Sequence, residues 1–252
     1  MTSTPIPVAV LGPNGRMGSE ACRAVDAAED LELVARIGRG DDLDAAAQAG
    51  AEVVVDLTVP SAAKANVLWA LDHGMHAVVG TTGWDEDALA EVREALDRNP
   101  RLGVLIAPNF AIGAVLAMRF AEIAARYYES AEIIELHHPA KVDAPSGTAR
   151  HTAAAIARGR AAGGLGAVPD ATETDPLRAR GAVVDGVHVH AVRLRGLVAH
   201  EEVLFGGVGE QLTLRHDSFD RVSFMPGVLL GIREVASHPG LTLGLDGYLE
   251  LG

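Results

Sequence analysis

The chain has 252 residues, and 21 Lys and Arg against 34 Asp and Glu give a formal net charge of −13. That length lies near the limit for one hydrophobic core, so one large or two modest domains are expected, and 48% hydrophobic residues with 22% charged exclude a mainly disordered chain. The acidic balance argues against nucleic acid or an anionic membrane as the main partner, because both require a basic face.

Residues 1–7 carry no basic stretch and the apolar run behind them is short, so no secretory leader is expected. The longest uncharged run, 102–118, is interrupted by Pro108 and Asn109 and falls short of the roughly 20 apolar residues of a membrane span. A single cysteine, Cys22, excludes an intramolecular disulfide and fits a reducing, cytoplasmic setting. Only Lys64 and Lys141 break an otherwise all-arginine choice of basic residue.

Short apolar runs at 6–11, 31–37, 53–57, 76–79 and 104–107 alternate with amphipathic helical patterns at 15–28, 60–73 and 85–98. Non-alternating buried strands between helices read as a doubly wound parallel sheet covered on both faces. Asp85, Glu86 and Asp87 put acids in the first turn of the third helix, where the helix dipole favours them. Beyond Phe110 the pattern changes to a helix at 112–128, a strand at 131–137 and a helix at 147–160. A Gly/Ala/Pro-rich segment at 159–176 reads as a mobile connection, and alternating strands follow at 187–195, 197–205 and 211–216. Such alternation predicts a sheet with one packed face and one that is wet or covered by another subunit. A last amphipathic helix is expected at 225–237.

Gly12, Gly15 and Gly18 follow the first strand and open the first helix, the context in which a glycine turn meets a dinucleotide pyrophosphate. Asn14 stands where the common fingerprint has its second glycine. The second strand ends without the usual acid for ribose hydroxyls; Gly38 and Arg39 come first and Asp41 only later. Arg36 or Arg39 would suit the 2′-phosphate of NADPH, or both arginines simply cover a solvated loop. NADPH is the expected cofactor, with NADH use also open. Thr81, Thr82 and Asn109, at the carboxyl ends of later strands, offer further cofactor contacts.

The segment from Glu135 to Ala149 carries His137, His138, Lys141, Asp143, Ser146, Gly147 and Thr148 between a strand and a helix. Amides and hydroxyls at the helix start suit a carboxylate, Lys141 adds positive charge, and the histidines exchange protons near neutral pH. Together they suit a small dianionic acid that requires proton transfer. Ser146 also reads as a helix N-cap, Lys141 as a surface charge, and Asp143 as a loop organiser. Convergence of His137, His138, His188 and His190 on zinc is the alternative, but the chain has no Cys-x-x-Cys or paired-histidine helical spacing, and no metal is expected.

The glycine turn, Gly80-Thr-Thr82, Ala107-Pro-Asn-Phe110 and above all the His137-His138 to Ser146-Gly-Thr148 segment resemble the dihydrodipicolinate reductase family of lysine and diaminopimelate biosynthesis. Gly209-Glu210 with His216, Arg221 and Phe224 is similar to its closing segment. The resemblance implies an NAD(P)H-dependent reductase, homotetrameric, with a Rossmann-like dinucleotide domain (1–110 with 217–252). It also implies a smaller α+β domain with a mixed sheet (111–216) for substrate binding and oligomerisation. By position, Gly12, Pro13, Asn14, Gly15, Arg16, Met17, Gly80, Thr81, Thr82, Ala107, Pro108, Asn109 and Phe110 would hold the cofactor. Arg39 matches the basic residue some members use for NADPH, whereas Gly38 departs from their acid for NAD. His137 and Lys141 would be the proton-transfer pair, and His138, Ser146, Gly147 and Thr148 would bind substrate carboxylates.

Overall fold

A computed structural model describes residues 4–249. The outermost three residues at each end of the expected first domain therefore lie outside the described residues. The chain forms two compact units, one comprising residues up to Ile112 together with those from Arg221 onward, the other Gly113–Asp220.

In the first unit six parallel strands stand in the order β11-β5-β4-β3-β1-β2: β1 (Ile6–Leu11), β2 (Leu31–Ile37), β3 (Val53–Asp56), β4 (His76–Val79), β5 (Gly103–Ile106) and β11 (Gly240–Leu243). The fold class is Rossmann-like, with the strand order reversing between β1 and β3. All four residues of β3 and of β5 are buried, as befits strands covered on both faces. The helices α1 (Arg16–Asp26), α3 (Pro60–Asp72), α4 (Glu86–Arg98) and α7 (Met225–Glu234) belong here, with a short α2 (Asp44–Gln48) after β2. Pro60 occupies the first turn of α3, where its missing N–H costs nothing. Asp85 caps α4 by accepting from the Ala88 amide at 2.8 Å. Lys64 forms a 2.7 Å ion pair with Glu91, joining α3 to α4 at the surface.

One expectation needs correction, and one element was not foreseen. The last helix ends at Glu234 and passes into a 3-10 turn at Val235–Ser237. A sixth strand, β11, then pairs with β5 from Gly240 to Leu243.

The second unit holds α5 (Ile112–Ala124, entering it at Gly113), β6 (Ser130–His137), α6 (Gly147–Ala162), β7 (Ala182–Val184), β8 (Val187–Arg193), β9 (Ala199–Gly207) and β10 (Glu210–Ser218). Its sheet runs β10-β9-β6-β8-β7 and is mixed: β6 and β8 are parallel, the other neighbours antiparallel. Alternation in β6 buries Ala131, Ile133 and Glu135 on one face. Ile133, Val189, Val203 and Phe205 pack there with Ala121 of α5, Ala125 just beyond it, and Ala153 and Ile156 of α6.

The segment expected as a mobile connection is instead fastened. Arg160 donates to the Gly166 carbonyl at 2.8 Å, and Asp170 meets both Arg180 (3.3 Å) and His188 (3.0 Å). Among the described residues no helix is long and apolar enough to cross a membrane.

Candidate active site

The glycine turn sits at the strand-order reversal of the first unit, between β1 and α1. Gly12 has φ +81°, a conformation glycine adopts without the penalty of a Cβ, and its amide donates to the Ile37 carbonyl at 2.9 Å. Helix α1 then starts after Gly15, which has no side chain to cap it. At Gly18 the helix crosses so close to the turn that a Cβ would lie 2.0 Å from the Gly12 carbonyl oxygen. An uncapped helix start behind a turn of bare backbone fits the pyrophosphate of a dinucleotide.

Beside it lies a cleft of about 450 Å³ lined by Pro13, Asn14, Cys22, Arg36, Gly38 and Asp41, among others. Arg36 is drawn to Asp26 at 2.6 Å, while Arg39 stays exposed in the loop after β2. Asp41 folds back to accept from the Gly38 amide at 2.8 Å, so a carboxylate does reach the end of β2 by a different route from the usual one.

The other expected cofactor residues divide by burial. Ala107 and Phe110 are buried, with the Phe110 ring beneath Gly80, so any contact they make with a cofactor is through backbone. Thr81 is buried and its hydroxyl faces Asp56 at 3.4 Å, while Thr82 and Pro108 are exposed. The Asn109 side-chain oxygen accepts from the Ala111 amide at 2.8 Å and shapes its own turn. Asp56 is a residue the strand pattern did not single out. It is 1% exposed and accepts from the Thr58 amide and hydroxyl (2.8 and 2.6 Å) and from Asn66 (2.8 Å). It thereby ties together the loops at the carboxyl ends of β3 and β4.

In the second unit, the chain leaves β6 at His137 and re-enters regular structure at Gly147. Ser146 caps α6, its hydroxyl accepting from the Ala149 amide at 3.1 Å. A Cβ at Gly147 would meet nothing within 4 Å, so the space beside Gly147 is open. Between them, Lys141 is folded back by a turn to His138 and pairs with Asp143 at 2.8 Å. Burial opposes the charge on Asp143, but the hydrogen bond and charge of Lys141 hold its carboxyl below the usual carboxylate range. The loop therefore holds Lys141 by a backbone turn and by Asp143 between the end of β6 and the capped start of α6.

Two residues without a sequence signature complete it. Glu135 is fully buried and accepts from His137 Nδ1 (2.5 Å), both terminal nitrogens of Arg193 (2.7 and 2.8 Å) and the Ser146 amide (3.1 Å). Burial alone would raise its pKa, yet His137 and Arg193 hold it down to about 2. Arg193 also donates to the Asp143 carbonyl at 2.7 Å. It reaches the loop because β8 lies parallel to β6, with Arg193 opposite His137.

Directly across from Glu135 on β9 is Glu201. Burial pushes its carboxyl up to about 7 from 4.5, opposed by a hydrogen bond to Thr152 and assisted by the charge of Glu135. Thr152 Oγ1 lies 2.6 Å from Glu201 and 3.1 Å from the Thr148 carbonyl, and one hydroxyl proton cannot serve both. A protonated Glu201 resolves this by supplying the second proton. Because the unfolded chain ionises near 4.5 and the folded one near 7, stability falls as pH rises across that window. The loss amounts to about 3 kcal/mol. Glu201→Gln is expected to flatten it, checked by urea unfolding of both proteins at pH 5 and pH 8; an unchanged pH slope would count against a neutral Glu201.

The remaining histidines are otherwise engaged. His190 meets Glu132 at 2.7 Å, while His188 donates from Nδ1 to the Arg180 carbonyl at 2.7 Å. Among the described residues no group of three or more His, Cys, Asp or Glu is arranged to hold a metal ion.

A Rossmann-like sheet with an uncapped glycine turn, followed by a unit bearing a His/Lys loop before a helix, defines the two-part layout of nucleotide-dependent oxidoreductases. The models for the two halves of one family match: dihydrodipicolinate reductase N-terminus over residues 6–110 and C-terminus over 113–249. A 4-hydroxy-tetrahydrodipicolinate reductase of Streptomyces griseus is 62% identical, covering 97% of this chain and 98% of the relative. One of Nocardia farcinica is 61% identical over 98% of this chain and 99% of its own. The dipicolinate-bound dihydrodipicolinate reductase from Paenisporosarcina sp. TG-14 superposes with TM-score 0.86 at 39% identity, covering 98% of this chain and all of that one. A scyllo-inositol dehydrogenase from Lactobacillus casei, 11% identical with TM-score 0.61, shares the fold alone. The chain belongs to the dihydrodipicolinate reductase family.

Proposed function

We propose that this chain reduces 4-hydroxy-tetrahydrodipicolinate to tetrahydrodipicolinate with NAD(P)H, in lysine and diaminopimelate biosynthesis. The carrying observation is the loop between β6 and α6. It puts two histidines, a lysine and a helix start with open space beside Gly147 within one short stretch, in a chain whose 39%-identical relative is dipicolinate-bound. Overall, substrate, NAD(P)H and one proton give product, NAD(P)⁺ and water.

The residues assigned to the cofactor are the turn Gly12–Met17 and the loops at Gly80–Thr82 and Ala107–Phe110; the bound nicotinamide supplies the hydride. On the substrate side, Lys141, His138 and the Gly147–Thr148 helix start hold the two carboxylates, while Ser146, buried with its amide on Glu135 and its hydroxyl on the Ala149 amide, shapes that start instead of contacting substrate. Loss of the 4-hydroxyl as water leaves a conjugated cyclic imine. As hydride adds at the far end of that system, negative charge moves to the ring nitrogen, and Lys141 with His137 delivers the proton there. Oligomerisation as a homotetramer and a cytoplasmic location complete the reading.

The test is oxidation of NADPH and NADH by the purified protein with freshly synthesised substrate; no turnover with either would sink the assignment. Arg39 supports a preference for NADPH, since Arg36 is engaged by Asp26. Arg39→Ala is expected to raise KM for NADPH about ten-fold, the loss of one charge-assisted phosphate contact, and to leave KM for NADH nearly unchanged. Equal effects on the two cofactors would remove Arg39 from the site.

A further inference from the structure

The reaction assigned to the loop between β6 and α6 accounts for His137, Lys141 and the helix start, but not for the fully buried carboxylate behind them. Glu135 accepts four hydrogen bonds from three separate parts of the unit: His137 on its own strand, Arg193 on β8 and the Ser146 amide at the α6 cap. A buried carboxylate is costly unless every lone pair is used, and here they are. An ionised carboxylate only accepts, so His137 must carry a proton on Nδ1. That leaves Nε2 as the nitrogen that takes or gives the working proton.

We propose that Glu135 is a positioning residue for the reduction. Its carboxylate fixes the Nδ1–H tautomer of His137, and through Arg193 and the Ser146 amide it locks the proton-transfer loop and the carboxylate-binding helix start in one frame. This rests on the functional reading above and deepens it. Arg193 is the bridge: with one guanidinium it holds Glu135 and the Asp143 carbonyl, two residues beyond Lys141. Glu201, opposite on β9, is the other acid packed against Glu135, and its neutral form leaves the single negative charge facing His137 and Arg193.

The experiment uses full-length protein labelled with ¹⁵N-histidine, His137 being assigned by its loss in His137→Ala. In the wild type the neutral ring is expected to carry its proton on Nδ1. Glu135→Gln retains the size and can still accept from Arg193, but its amide opposes a single tautomer. It is expected to lose the Nδ1–H signature and to lower kcat by about 10-fold or more, up to about 10⁴-fold as when the carboxylate behind a catalytic histidine is replaced by its amide. KM for NADPH should stay within about two-fold, and Glu135→Gln should cost distinctly less in a His137→Ala background than in the wild type. A merely structural role would leave the tautomer alone and add its loss to that of His137→Ala.

A wild-type Nε2–H tautomer, or Glu135→Gln with kcat within about two-fold of wild type, would overturn the proposal. The wild-type tautomer measurement decides even if Glu135→Gln does not fold. It is also independent of turnover, so a protein inactive on 4-hydroxy-tetrahydrodipicolinate counts against the functional reading alone.

Discussion

Lys141→Ala is expected to lower kcat by about 100-fold or more, the range found when a positioned general acid is removed. Its amine is held by Asp143 at 2.8 Å in a loop of the second unit, whereas the glycine turn belongs to the first. NADPH affinity in the absence of substrate should therefore stay within about two-fold. Two duties are assigned to this lysine, charge toward a carboxylate and delivery of a proton, and Lys141→Arg separates them. The guanidinium keeps the charge but does not give up a proton at accessible pH. Arginine should thus preserve substrate KM better than alanine while losing a comparable share of kcat. Stopped-flow measurement of NADPH oxidation, with separate titration of NADPH binding, reads both effects. Retention of most of the turnover in Lys141→Ala would remove Lys141 from the proton step, and full activity in Lys141→Arg would reduce its role to charge alone.

Why Lys141 was legible and Glu135 was not is a matter of distance along the chain. His137, His138, Lys141 and Ser146–Thr148 fall within one short stretch, so their chemistry shows as a local motif. Glu135 lies in the same stretch but reads as an ordinary strand residue. Its significance comes from Arg193, brought opposite His137 only by the parallel pairing of β6 and β8. Glu201 was hidden for a related reason: it lies in phase with buried Val203 and Phe205, a position where the pattern calls for an apolar residue, while the neighbouring His200 is buried out of phase. Strand alternation carries no sign of which polar positions find partners.

The fold follows the same division. The strands β1, β3, β4 and β5 are mostly apolar runs because helices cover both faces, and their hydrophobicity marks them, whereas the edge strand β2 carries Glu32 and Arg36 and is buried only at its ends. β11 escaped notice because it has four residues, none of them buried, and exists only by pairing with β5 across more than half the chain. Likewise α2, with five residues, is too short to show a helical period. At the cofactor loops, burial was the missing information. The Ala107–Phe110 motif proved to be half core, with Phe110 packed under Gly80 and against the backbone at Gly227.

Gly18→Ala should be among the most damaging single methyls in the first unit. The added carbon would lie 2.0 Å from the Gly12 carbonyl oxygen and 2.7 Å from its carbon, far inside any real contact. Both atoms are backbone, so no side chain can swing away; α1 must lift off the turn or Gly12 must abandon its φ of +81°. Either movement displaces the amides at the helix start that are assigned to the pyrophosphate. Overpacking of this kind costs about 2 kcal/mol or more, and loss of the helix-start contacts should weaken NADPH binding at least about ten-fold. Gly15→Ala is the matched comparison. Its Cβ would stand 3.3 Å from the same oxygen, at φ −76°, which any residue adopts. That variant should keep nearly wild-type stability, so whatever affinity it loses reports the methyl's intrusion on the cofactor and not a displaced helix. Thermal unfolding and NADPH titration of the two variants side by side separate packing from recognition. Wild-type stability and affinity in Gly18→Ala would mean that the close crossing of α1 over the glycine turn is not what shapes the phosphate site.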